Sequence, residues 1–110
     1  MIGHGSESDL TIATGAVAVT ATYHSIIVEG GAGAGDDSLT SATGGSEGDI
    51  LILKPETSGS TNIVTVTDGT GAGAFILTGG SNFALNHVDD RIAFIHNGTE
   101  WVELFRSDGS

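Results

Sequence analysis

The chain contains no cysteine, which excludes a disulfide framework, a thiolate metal centre and a thiol nucleophile. Basic residues are almost as scarce: Lys54, Arg91 and Arg106 stand against fourteen acidic residues, for a net charge of -11 and a pI near 4.2. Phosphate backbones are bound mainly by Lys and Arg, and anionic membranes repel such a chain, so neither nucleic acid nor membrane is an expected partner. The acidity itself reads as solubility and suppressed self-aggregation, with cation-binding pockets as the other option. No stretch approaches the ~18 apolar residues of a membrane span. Residues Met1 to Asp9 lack the basic and apolar regions of an export signal. Large side chains are few as well: Trp101, Tyr23 and four phenylalanines, with Pro55 the only proline.

What is abundant is glycine, 18 residues of 110. A chain of this length is one domain that buries roughly 65% of its unfolded surface, and glycine favours turns over helices. With so little bulk to pack, such a domain gains by pairing with copies of itself.

The apolar pattern is that of short strands. Asp9 to Ile12 and Ala16 to Thr20 read as a first pair joined through Thr14-Gly15, and Tyr23 to Glu29 as a third strand rich in β-branched residues. Residues 30–48 hold one large apolar side chain, Leu39, and read as a long surface loop suited to a functional or intersubunit contact. Ile50 to Leu53 form a continuous apolar run, the signature of a strand buried on both faces. Residues 62–68 alternate, with Val64 and Val66 to one side, and Ala74 to Leu77 and FALN add two short strands. Asn97-Gly98 then predicts a two-residue type I′ hairpin that sets Phe94 opposite Trp101 and Ala93 opposite Val102. Apolar groups on both faces of that ribbon imply a core on one side and a neighbouring subunit on the other. The expected fold is all-β, a small antiparallel sandwich or barrel-like domain over residues 9–110, preceded by an arm at residues 1–8.

The chemical motifs are weak. Residues 44–48, GGSEG, match the nucleophile-elbow pattern, but a strand rather than a helix follows. The glycine runs at 31–35 and 69–73 lack the helix that a phosphate loop needs. Asp36-Asp37 and Asp89-Asp90 could offer oxygen ligands to calcium or be solvated turns, and the four histidines have no zinc spacing. Asn97-Gly98-Thr99 is a glycosylation pattern that coincides with a turn. With no poised acid, base or nucleophile, neither an enzyme nor a cofactor is expected.

The succession YHSIIVEG, DDSLTSATGG, GDILILKP, VTVTDGTGAGAFILTGGSNFALN and RIAFIHNGTEWVELFRSDG resembles a small β module of virion proteins of tailed bacteriophages. There it occurs as a capsid-associated protein or as a tail-fibre domain. The resemblance covers about residues 9 to 108, and GDILIL with the HNGTEW hairpin is its most specific part. It implies a virion component made in the host cytoplasm. A start at Met1, a few residues before the first strand, leaves no room for a shaft or coiled coil and favours a capsid decoration (cement) protein on the head surface, commonly a homotrimer. On that expectation Met1, Ile2, His4, Leu10, Asp36, Asp37 and Leu39 meet the major capsid protein, and Ile50, Ile52, Phe94, Trp101 and Phe105 meet neighbouring subunits. The alternative is a tail-fibre or receptor-binding module in which Tyr23 and Trp101 stack on host glycans.

Overall fold

The computed structural model describes residues 8–31, 35–56 and 62–109. Its strands are β1 (Ser8–Thr11), β2 (Ala16–Ala18), β3 (Tyr23–Ile27), β4 (Asp37–Leu39), β5 (Ser41–Thr43) and β6 (Ile50–Pro55). They are followed by β7 (Val64–Val66), β8 (Phe75–Ile76), β9 (Phe83–Leu85), β10 (Arg91–His96) and β11 (Trp101–Ser107), with one 3-10 turn at Thr78–Gly80. The chain is all-β, as its composition predicts.

The pairing is mixed rather than antiparallel. The first sheet runs β1-β3-β6-β10-β11-β8, the second β2-β5 and the third β4-β7-β9. Parallel ladders join β1 to β3, β3 to β6, β2 to β5, β4 to β7 and β11 to β8. Parallel neighbours need long crossovers, and here the crossovers are the other sheets. The second pass of the chain visits the first sheet at β3, the third at β4 and the second at β5, then returns to the first at β6. Successive passes stack like turns of a coil, and the β10-β11 hairpin closes the far side of the first sheet by antiparallel pairing.

All three sheets turn apolar residues to one core. Leu51, Leu53, Ile92, Phe94, Phe75 and Trp101 come from the first, Val17 and Ala42 from the second, and Leu39, Val64, Val66, Phe83 and Leu85 from the third. The Phe75 and Phe94 rings lie 4.9 Å apart. Trp101 sits at the centre: its indole N–H donates to the Ala42 carbonyl at 3.0 Å, and the His96 ring stands edge-on to it at 4.7 Å. Gly45 covers it, because a Cβ there would lie 2.3 Å from the indole Cζ2.

The hairpin register differs from the expected one by two residues. His96 pairs with Trp101 and Ile95 with Val102. Asn97 Oδ1 accepts the N–H groups of Thr99 and Glu100, and Asn97 N–H donates to the Glu100 carbonyl, which makes a four-residue loop. A slip of two preserves the side-chain faces, so the two-sided ribbon survives. The type I′ turn is found instead at Thr14-Gly15, where φ is 53° and 77° and Ala13 and Ala16 exchange both hydrogen bonds. That turn does not propagate into a hairpin: β1 continues beside β3 and β2 beside β5.

Segment 30–48 is no surface excursion, since it contributes β4 and β5, and Leu39 is fully buried. Carboxylates hold it in place. Glu29 accepts the Thr14 N–H, Asp37 accepts those of Glu29 and Ser38, and Asp36 accepts that of Ile63. Asp90 does the same at the C-terminal end. Fully buried, it accepts the N–H groups of Asn86, His87 and Gly109.

Replacing Asp90 by Ala removes the shared acceptor of three amides, and because Asn86 and Gly109 are exposed enough for water to replace it in part, a loss of about 1–3 kcal/mol is expected in urea unfolding. Gly45→Ala forces a methyl group against the indole, with an expected cost of about 1–3 kcal/mol and a shift in the emission of the single tryptophan.

Candidate interaction face

The first sheet packs one side on the core, and its other side carries a regular pattern. Ile50, Ile95, Val102 and Ile76 are direct cross-strand partners on β6, β10, β11 and β8. Tyr23, Ile52, Ala93 and Phe105 form a second row across β3, β6, β10 and β11. All point away from the core, because their neighbours Leu51, Leu53, Ile92, Phe94 and Trp101 point into it. Apart from buried Ala93 they are half-buried or exposed, and Phe105 is 57% exposed. A β-bulge enlarges the patch: the pairing passes from Phe94–Glu103 to Ala93–Phe105, so the unpaired Leu104 is also turned outward, 50% exposed.

A polar row flanks the apolar ones. Asp9 pairs with Ser25 and Ser25 with Lys54 across β1, β3 and β6, and the Ser25 hydroxyl donates to the Asp9 carboxylate. Arg91, the residue before the Ile92 that faces Leu53, continues this side and lays its guanidinium 5.7 Å from the Tyr23 ring centre. The row therefore has a carboxylate at its β1 end, buried Ser25 and Lys54 in its middle and a guanidinium on β10, with Ser107 beyond it on β11. No carboxylate stands in either apolar row.

Of the residues expected at subunit contacts, Ile50, Ile52 and Phe105 come together on this face. Phe94 and Trp101 do not: they are 0% and 1% exposed, because positions 94 and 101 occupy the inward face of their strands. Burial also removes Trp101 as a sugar-stacking platform, and Tyr23 is half-buried beneath Arg91. Among the expected capsid contacts, Leu10 packs against the core and Leu39 lies within it. Asp36 is exposed and Asp37 half-buried, both already bonded to backbone amides. Met1, Ile2 and His4 lie outside the described residues. The Asp89–Asp90 pair is split, Asp90 buried under amides and Asp89 exposed near His87. Among the described residues no three His, Asp or Glu side chains gather as metal ligands. The sequence names Val102 opposite Ala93 in the ribbon but gives no separate sign of Ile76, Ile95 or Leu104. Alternation marks a face but does not say which side is solvent.

On the inner side of β11, opposite Phe94 and Ile92, lies an ion pair. Arg106 and Glu103 make two hydrogen bonds at 2.8 Å, Glu103 also accepts the Thr78 N–H, and Arg106 reaches the Ser81 and Asn82 carbonyls and lies over the Phe83 ring. The Arg106 guanidinium, by hydrogen bond and by charge, together with the Thr78 amide, holds the Glu103 carboxyl below its ordinary value of 4.5 although burial opposes this. The same pair raises Arg106.

Two clefts flank the Gly44–Gly45 ridge. One, of about 270 Å³, is lined by Thr20, Thr22, Asp49 and Ile50; the other, of about 350 Å³, by Thr43, Gly73, His96 and Thr99. His96 Nδ1 accepts the Gly98 N–H, and the Asp49 carboxylate accepts that of Ser46. Ser46, the serine of GGSEG, lies in the turn between β5 and β6.

Compared with known proteins, the chain matches no family model, no curated protein and no solved structure.

Because the Glu103 carboxyl titrates below its unfolded value, its stabilising contribution is present above about pH 4.5 and lost as the pH falls through the lower folded value. Glu103→Gln is expected to flatten the acid limb of a stability-against-pH curve in that window, measured by urea midpoints between pH 6 and pH 3, conditions on either side of the ordinary carboxylate range of about 4.

Proposed function

We propose that this chain is a structural virion protein of a tailed bacteriophage, a capsid decoration protein that sits on the outside of the head and strengthens contacts between capsomers. The observation that carries the reading is the first sheet's outer face, with two apolar rows in register across four strands and no carboxylate among them. Contiguous apolar surface of this kind marks an interaction site. The resemblance of the GDILIL strand and the HNGTEW segment to phage β modules supplies the setting. Copies join through this face as a homotrimer, and the contact with the major capsid protein falls to the segment of Met1, Ile2 and His4 and to the exposed rim around Asp36. The mechanism is mechanical. Many modest contacts, each copy tethered to its neighbours, add by multivalency to resist the outward pressure of packaged DNA.

Electron microscopy of virions with and without the protein tests this directly: density over the head is expected, and density confined to the tail would replace the reading with that of a tail-fibre or receptor-binding module. Removing residues 1–7, which leaves the Ser8 bonds to His24 intact, is expected to lower head occupancy without changing thermal unfolding. Undiminished occupancy would remove the N-terminal segment from the contact.

A further inference from the structure

We propose that the tip between β10 and β11 is a self-modifying site: Asn97 cyclises onto the Gly98 amide nitrogen with His96 as the base, and water opens the ring to aspartate or isoaspartate. The groups that this chemistry needs stand around one side chain. The nucleophile is the Gly98 nitrogen, whose N–H donates to His96 Nδ1 at 3.0 Å. Because Nδ1 accepts that hydrogen, its lone pair faces the nitrogen, and the neutral ring carries its own proton on Nε2. The electrophile is the side-chain carbonyl carbon of Asn97. Its oxygen, Oδ1, accepts the N–H groups of Thr99 at 2.9 Å and Glu100 at 2.7 Å. Backbone donors fixed on an oxygen that becomes negative form an oxyanion hole, and their bonds strengthen as the charge develops.

The reaction balances with water as the only co-reactant. Gly98 N gives its proton to His96 Nδ1 and bonds to Asn97 Cγ, closing a succinimide ring with the backbone. The tetrahedral intermediate collapses as the bond from Cγ to Nδ2 breaks, and the imidazolium returns the proton so that ammonia leaves. Water then opens the ring: cleavage between Cγ and the Gly98 nitrogen gives aspartate, and cleavage between the Asn97 backbone carbonyl carbon and that nitrogen gives isoaspartate. The surroundings admit each step. Asn97, Gly98 and Thr99 are exposed, and Gly98 has no side chain to shield its nitrogen. His96 is held in place at 7% exposure, its ring edge-on to Trp101. The other asparagines, Asn62, Asn82 and Asn86, precede Ile63, Phe83 and His87, whose side chains crowd the amide that would attack. The product adds a carboxylate to a tip that already carries Glu100 and has Glu47 beside Gly98.

Timed incubation of the full chain at neutral pH, followed by unfolding, trypsin cleavage and mass spectrometry, tests this. The peptide spanning residues 92–106 holds Asn97 as its single asparagine. The readouts are the mass gained when an amide NH2 becomes OH, and isoaspartate in the fragment ions. The folded chain is expected to convert Asn97 roughly tenfold or more faster than the same chain kept in guanidinium chloride, where the Gly98 amide has only solvent as its base. A folded chain that converts Asn97 no faster than the unfolded one overturns the proposal, as does equal conversion at Asn62, Asn82 or Asn86. His96→Phe keeps an aromatic ring beside Trp101 and removes Nδ1. With its fold verified by circular dichroism, this variant is expected to convert Asn97 at the unfolded rate, and an undiminished rate overturns His96 as the base. If the variant does not fold, the comparison of folded and unfolded wild type decides alone.

Discussion

Carboxylates accepting backbone N–H groups are the interaction on which this structure depends. A chain with so many glycine turns, so little aromatic bulk and no disulfide leaves many loop amides to satisfy, and acidic side chains satisfy them. Glu29 holds the Thr14 turn, Asp37 the Glu29 amide, Asp36 the start of β7 and Asp49 the Ser46 turn. Asp68 holds Leu77, Glu100 holds Gly71, Glu103 holds Thr78, and Asp90 gathers three amides at once. Most of these bonds are exposed to solvent, so each contributes modestly, and it is their number that fixes the loops. The negative charge is thus a structural investment as well as a source of solubility.

That arrangement lets the coil of parallel strands exist in so short a chain. Each crossover between parallel neighbours is itself a strand of another sheet, so little length is spent on unpaired connection, and the corners between sheets are where the capped amides fall. At the centre, Gly45 lets the backbone rest directly on Trp101, and the indole in turn bonds the Ala42 carbonyl of the second sheet. Sheet, corner and core are fixed by one contact.

The sequence made the strands legible and their partners much less so. Val64 and Val66 point inward as their alternation predicts, and the apolar run of β6 divides between buried Leu51 and Leu53 and half-buried Ile50 and Ile52. Partner choice depends on contacts distant in sequence. Thr14-Gly15 makes a hairpin turn whose arms then part into different sheets, which no local signal reveals. Asn97 was read through its preference for positive φ, whereas its side chain closes a longer loop by accepting two amides. Leu39, alone among small and polar residues, shows no strand pattern, yet a single large apolar residue in such a setting marks a buried position. On the outer face of the first sheet, Ile50, Ile52 and Phe105 are recognisable from apolar groups on both sides of their strands. Phe94 and Trp101 lie on the inner side rather than the expected outer one, since alternation separates two faces without naming the inner one.

The disposition of the cations bears on how the folded chain meets reagents and proteases. Its single lysine, Lys54, is buried in β6 and precedes Pro55, while Arg91 and Arg106 lie in strands with their guanidinium groups bonded to carbonyls. Amine-directed coupling therefore has no lysine to reach on the native surface. Enzymes that cut after basic residues have only two bonds to attack, both within paired backbone, so resistance to trypsin-like digestion reports directly on whether the first sheet is intact.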